Sequence, residues 1–221
     1  MAIYIGLEGH DGTGKSATAD NLLSLFDGIR LHRTDEMATK RRNLIAKKNN
    51  GEFTLSELSR AQDETYREER RDVESKSSSL SDGELVVLDR TWASHAAEQM
   101  WDCQEMDELF EHLQKDGTVL WPEDVLKPSI TFELYIPEET RSQRVDSRGE
   151  KLARRDWNLK TKPEYREALE GARKQLGCVR LSLRARNERI AGLRAAQVLL
   201  GHPSIPPLGL KPGVLDFDSN P

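Results

Sequence analysis

Residues 9–16 read Gly-His-Asp-Gly-Thr-Gly-Lys-Ser, a G-x-x-x-x-G-K-[ST] string set between two contrasting segments. Before it, residues 2–8 are short, apolar and partly β-branched, which suits a buried parallel strand. After it, residues 16–26 carry Ala19, Leu22, Leu23 and Phe26 at helical spacing. A strand, a glycine turn and a helix in that order form a cradle for polyphosphate. The glycines let the chain curl so that successive N–H groups face inward, and the helix start adds unpaired donors and a positive dipole end. With glycine near 7% of ordinary composition, a chance match in a chain of this length is roughly a one per cent event. Gly9, Asp11, Gly12, Thr13, Gly14, Lys15, Ser16 and Ala17 are therefore expected to hold ATP. Lys15 would reach the β- and γ-phosphates, and the Ser16 hydroxyl would complete a Mg²⁺ shell.

The rest of the chain continues the alternation. Strands are expected at 29–32, 85–88, 129–136 and 179–183, and helices at 42–48, 54–75, 94–114, 138–148, 163–177 and 187–200. Thr54 and Glu57 have the spacing of a capping box. Residues 33–41 read as loop, and residues 148–161, basic and glycine-containing, as a mobile segment. This order specifies a three-layer α/β/α fold around a parallel sheet of about five strands. The domain is expected over residues 1–201, with a lid near 141–161, followed by a proline-rich tail, extended or disordered, over 202–221.

Composition narrows the setting. The formal net charge of −5 argues against a protein that coats nucleic acid by bulk electrostatics. No apolar run approaches the roughly 20 residues of a membrane span, and the N-terminal segment lacks a signal-peptide pattern. Cys103 and Cys178 form no CxxC pair and suit a reducing compartment, so a soluble, cytoplasmic protein is expected.

Two further clusters carry chemistry. Asp89 directly follows Leu-Val-Val-Leu, where an acidic residue at the carboxyl end of a strand could share Mg²⁺ with Ser16, and Arg90 stands beside it. The bland alternative is a surface Asp–Arg pair. Arg141, Arg144 and Arg148 are spaced by three and four and share a helix face, with Arg154 and Arg155 beyond. They could close over a triphosphate as a lid, or form a solvated basic face balanced by Glu138, Glu139 and Asp146.

These segments together resemble the thymidylate kinase family, which phosphorylates dTMP with ATP. The resemblance rests on Leu7-Glu8-Gly9 through Ser16, on Asp89-Arg90-Thr-Trp-Ala-Ser94 through Gln99, and on Lys127-Pro128-Ser-Ile-Thr131. It spans about residues 3–200 and implies a homodimer that takes ATP, Mg²⁺ and a nucleoside monophosphate. By position, Asp11 would sit near the acceptor sugar and phosphate, Arg90 would hold the acceptor phosphate, and Ser94 and Gln99 would face the nucleoside. Arg67 matches the family's arginine near the base, and Arg144 and Arg148 match its lid arginines. The chain departs from the pattern at Thr91 and Glu98, where the family has tyrosine, and at Asp63, where it has phenylalanine. Residues 33–38 replace its Arg-Glu-Pro-Gly-Gly-Thr segment. These changes remove aromatic surface from the acceptor half.

Lys15, Asp89, Arg90, Arg144 and Arg148 thus form the expected catalytic set for a nucleoside monophosphate kinase. A deoxynucleoside kinase would want a carboxylate base, for which Asp35 or Glu36 could serve. An ATP-binding regulatory module that has lost acceptor phosphorylation would keep only the cradle. No Asn-Lys-x-Asp segment for guanine is present.

Overall fold

The computed structural model describes residues 2–31, 34–106, 114–115, 118–147, 154–183, 188–208 and 210–211. In chain order the elements are β1 (Ile3–Glu8), α1 (Lys15–Leu25), β2 (Gly28–Leu31), α2 (Asp35–Asn49) and α3 (Leu55–Ser77). There follow β3 (Leu85–Asp89), α4 (Trp92–Met106), a small antiparallel pair β4 (Gln114–Lys115) and β5 (Thr118–Val119), and β6 (Ile130–Tyr135). The chain continues through α5 (Glu138–Asp146), α6 (Arg154–Thr161), α7 (Pro163–Gln175), β7 (Val179–Ser182) and α8 (Glu188–Gly201).

The five main strands run in the order β2-β3-β1-β6-β7, and every pairing is parallel. That is the α/β sheet expected from the alternation. β1 lies at its centre between β3 and β6, so the loop after β1 emerges at the carboxyl edge beside both neighbours. An open parallel sheet binds its ligands there.

Burial on both faces explains the apolar strands. Ile3, Ile5 and Leu7 are all but sealed, and they share one core with Leu22 of α1, with Phe26 just after it, with β6, and with Ala191, Ala195 and Leu199 of α8. On β3, Val86 and Leu88 meet Val73 of α3. A separate cluster joins α4 to α7 through Trp101, Tyr165 and Leu169.

Local signals account for several boundaries. Thr54 and Glu57 form the expected capping box: Thr54 Oγ1 accepts from Glu57 N (3.2 Å) and Glu57 Oε2 accepts from Thr54 N (2.8 Å). α2 begins well before residue 42, because Thr34 caps it by accepting from Met37 N at 3.2 Å. Asp35 and Glu36 then face its dipole. No residue of α2 is buried, so the helix has no apolar stripe to reveal it. α4 ends its described course at Met106, and Gln114 belongs to a strand rather than to a helix reaching 114. Within the expected mobile segment, residues 154–161 form α6, while 148–153 lie outside the described residues.

The chain stays on the core past residue 201. Residues 203–205 form a turn, and Ile205 and Leu208 are buried in the main core. Leu210 bridges antiparallel to Phe26, and Lys211 N donates to Leu25 O at 2.9 Å. Prolines at 203, 206 and 207 prevent a helix here, but apolar residues between them still find the core. Residues 212–221 lie outside the described set.

Candidate functional site: a phosphate loop beside a polar cavity

The loop between β1 and α1 takes a conformation that its glycines permit. Gly9 has φ 131°, and a Cβ there would stand 2.7 Å from Leu134 O. Gly14, with φ 89°, is the left-handed residue from which α1 starts. Lys15 is buried and folds back over the loop, donating to Gly9 O (3.2 Å) and His10 O (3.1 Å), with Asp11 Oδ1 at 3.8 Å. Thr13 Oγ1 donates to His10 O at 2.8 Å and fixes the turn. An ammonium and a helix N-terminus therefore meet at this one loop.

Arg90 joins this loop to what lies beside it. Its backbone has φ 71°, a left-handed conformation that costs a long side chain about 1–3 kcal/mol. Arg90 N donates to Leu7 O at 3.0 Å, which anchors the turn after β3 to the end of β1. The guanidinium donates to Gly9 O (3.2 Å), to Ser94 Oγ (3.3 Å) and to Asp11 Oδ1. Glu8, fully buried, braces the same turn by accepting from Thr91 N (2.6 Å), Thr91 Oγ1 (2.7 Å) and Ser94 Oγ. Thr91, which stands where the family has tyrosine, thus works inward on the frame.

A cavity of about 520 Å³ opens beyond Arg90 between α2, α3 and α4. Asp35, Arg41, Tyr66, Arg90, Ser94 and His95 contribute to its lining. A second cavity of about 330 Å³ adjoins it, sharing His95 and Glu98 and adding Gln99 and Tyr165. Arg41 lies 3.7 Å over the Tyr66 ring and donates to Thr65 Oγ1 at 3.1 Å. Asp63, buried where the family has phenylalanine, accepts from Trp92 Nε1 at 3.0 Å and lies 3.2 Å from His95 Nε2. Burial drives the His95 pKa below its ordinary value, against the pull of Asp63. Asp63, Trp92 and His95 thus form a polar cluster behind the cavity.

Ser16 and Asp89, the expected Mg²⁺ pair, do converge. One nitrogen, Arg30 Nη2, donates to Ser16 Oγ (2.8 Å) and to Asp89 Oδ2 (2.9 Å), so both oxygens face a single cation-sized position. Hard oxygens from one hydroxyl and one carboxylate suit Mg²⁺, which normally takes its remaining ligands from phosphate and water. Among the described residues, no group of three or more His, Cys, Asp and Glu could hold a metal unaided.

On the lid side, Arg144 donates to Gly12 O at 3.1 Å and Arg141 is buried against Glu138, so α5 packs directly on the phosphate loop. Arg148 lies outside the described residues. Arg67 lies elsewhere on α3. It donates to Asp124 and to Glu64 (3.0 Å) on the outer face of α3 and does not line either cavity. Arg41, from the unforeseen part of α2, supplies the guanidinium there instead. Gln99 faces the smaller cavity, 2.5 Å from His95 Nε2, rather than the Arg90 end. Sequence reasoning also missed Arg30, whose one signal is a cation flanked by Ile29 and Leu31 in a strand. Burial pushes the Cys178 thiol well above its ordinary pKa, which leaves it inert as a nucleophile.

Comparison with known proteins agrees with this geometry. The family model described as thymidylate kinase matches residues 7–187. The solved structure of thymidylate kinase from Candida albicans aligns over 95% of this chain and 97% of that one, with a TM-score of 0.59 and 16% identity. None of the curated proteins matches the chain in sequence. Among the described residues no helix is long and apolar enough to cross a membrane.

Proposed function

This chain belongs to the thymidylate kinase family, and from that premise we propose that it transfers the γ-phosphoryl group of ATP to a (deoxy)nucleoside monophosphate. The observation that carries the reading is Arg90: strained, braced, and set where the phosphate loop meets the cavity. A cation at that junction can hold the acceptor phosphate in line with the donor, and in-line transfer depends on positioning and charge neutralisation.

In this reading the loop amides of residues 9–17 and Lys15 hold the donor phosphates, and Arg144 and Arg148 neutralise charge that develops during transfer. Asp11, beside Arg90, orients the acceptor. Ser16 and Asp89 would hold Mg²⁺, which when bound supplies positive charge between the phosphates. Ser94, and Gln99 from the adjoining cavity, would face the nucleoside, while Arg41 and the Asp63–His95 wall shape the base end. The same reading takes the working form as a cytoplasmic homodimer that engages small nucleotides rather than nucleic acid.

A thermal-shift series with ADP present and each nucleoside monophosphate in turn tests the proposal. A true acceptor stabilises by mass action, by about 2.7 kcal/mol at a hundred times its Kd. A panel in which ADP raises the midpoint and no monophosphate adds to it would overturn the acceptor assignment. A second reading has one observation in its favour. Asp35, the candidate base for a deoxynucleoside kinase, lines the same cavity as Arg90. Consumption of a nucleoside in place of a monophosphate would select it.

A further inference from the structure

Arg30 stands on β2, the edge strand, in register with Val87 of β3. Its guanidinium is only slightly exposed and forks between two environments. Nη2 bridges Ser16 Oγ and Asp89 Oδ2, at 2.8 and 2.9 Å. Nη1 donates to Asp20 Oδ1 at 3.1 Å, and Asp20 is largely solvent-exposed. Buried Nε has no hydrogen-bond partner. The inner prong thus holds the oxygens that would bind a metal, and the outer prong reaches the surface.

We propose that Arg30 is an internal competitor for the metal position. Its guanidinium holds Ser16 and Asp89 in the resting protein and must swing toward Asp20 before a divalent cation takes them. The inference rests on the phosphate-loop reading for its purpose, though not for its geometry. Two cations cannot share this position. A divalent ion bonds such oxygens at about 2.0–2.1 Å, and a guanidinium nitrogen in hydrogen-bond contact with both occupies the same space. Like charge at that range, beside the half-buried Asp89, adds repulsion even though Ser16 is exposed. In the swing Nη1 can keep Asp20 and gives up only its long contact to Ser16 O (3.5 Å), Nη2 releases its two partners, and Nε gives up no bond. Metal and arginine are therefore linked: whatever favours one disfavours the other by the same factor. A polyphosphate that arrives with its own cation tips the exchange, and metal entry then becomes conditional on nucleotide.

Mn²⁺ binding followed by electron paramagnetic resonance tests this without any turnover. Arg30→Met keeps the length of the side chain and removes its charge. It is expected to bind Mn²⁺ about ten-fold more tightly than wild type, both alone and with ADP. Circular dichroism checks the fold, and Arg30→Gln, neutral and still able to bond Asp89, serves if the methionine variant is unfolded. Mn²⁺ affinity equal to or weaker than wild type in a folded variant would overturn the proposal. Failure of the phosphate-loop reading would show separately, as wild-type protein that binds no ADP in excess chelator.

Discussion

The phosphate loop is shaped by backbone, whereas the cavity beside it is shaped by side chains. In the loop, glycine conformations, a helix start and one folded-back lysine leave little room for change, since Gly9 has no space for a Cβ. In the cavity, Arg41 of α2 and His95 and Glu98 of α4 contribute to the lining, and α3 braces two of them from behind, Thr65 bonding Arg41 and Asp63 lying beside His95. A backbone cradle binds whatever carries phosphates. A side-chain wall can be rewritten residue by residue. The difference teaches which half of the site is fixed by backbone shape and which is set by the choice of side chains.

The largest expected effect comes from the loop. Lys15→Ala should lower turnover by about 10²–10³-fold, the usual loss when one preorganised donor to a developing charge is removed. Steady-state rates check it, and a loss under ten-fold would break the claim that the loop half does the common work. Next, Arg90→Ala should cost about 10²-fold in kcat/KM for the acceptor while leaving ADP affinity nearly unchanged. Arg90→Lys should rescue little, because a shorter ammonium lacks the two separate nitrogens that reach Gly9 and Ser94 on one side and Asp11 on the other. Equal losses on donor and acceptor sides would erase the division between the halves.

A smaller effect is written in pH. Burial holds the His95 pKa below the unfolded value of about 6.5, so the native state prefers the neutral ring. The stability this contributes is fully present above the unfolded pKa and is lost as pH falls toward the folded one. Urea midpoints of wild type should therefore drop between pH 7.5 and 5.5, and those of His95→Gln should drop less. Parallel slopes would remove His95 from the buried wall. Smallest of all, Arg67→Ala should leave acceptor KM within about two-fold and cost under about 1 kcal/mol, as exposed ion pairs do. A large rise in KM would return Arg67 to the cavity.

Much of the fold was legible in the sequence because its strands are continuous apolar runs bounded by turns. Ile3–Glu8 and Leu85–Asp89 are buried on both faces and read as such. The loop was legible because its chemistry is local, eight residues in a row. The cavity was not, because its residues meet only after three helices pack. α2 hid for want of an apolar face, and with it Arg41. Arg67 was placed near the base by the family resemblance, yet a helix turns about 100° per residue. A small slip in alignment therefore points a side chain outward. Ile205 and Leu208 were overlooked because proline density suggested a tail, although two buried side chains are enough to dock one.

Labelled phosphate gives the most direct test. Protein incubated with γ-labelled ATP, Mg²⁺ and a monophosphate selected by the thermal-shift series should place the label in the corresponding nucleoside diphosphate, and Arg90→Ala should nearly abolish that product. Label found only in inorganic phosphate, at the same rate with and without every monophosphate, would contradict the account.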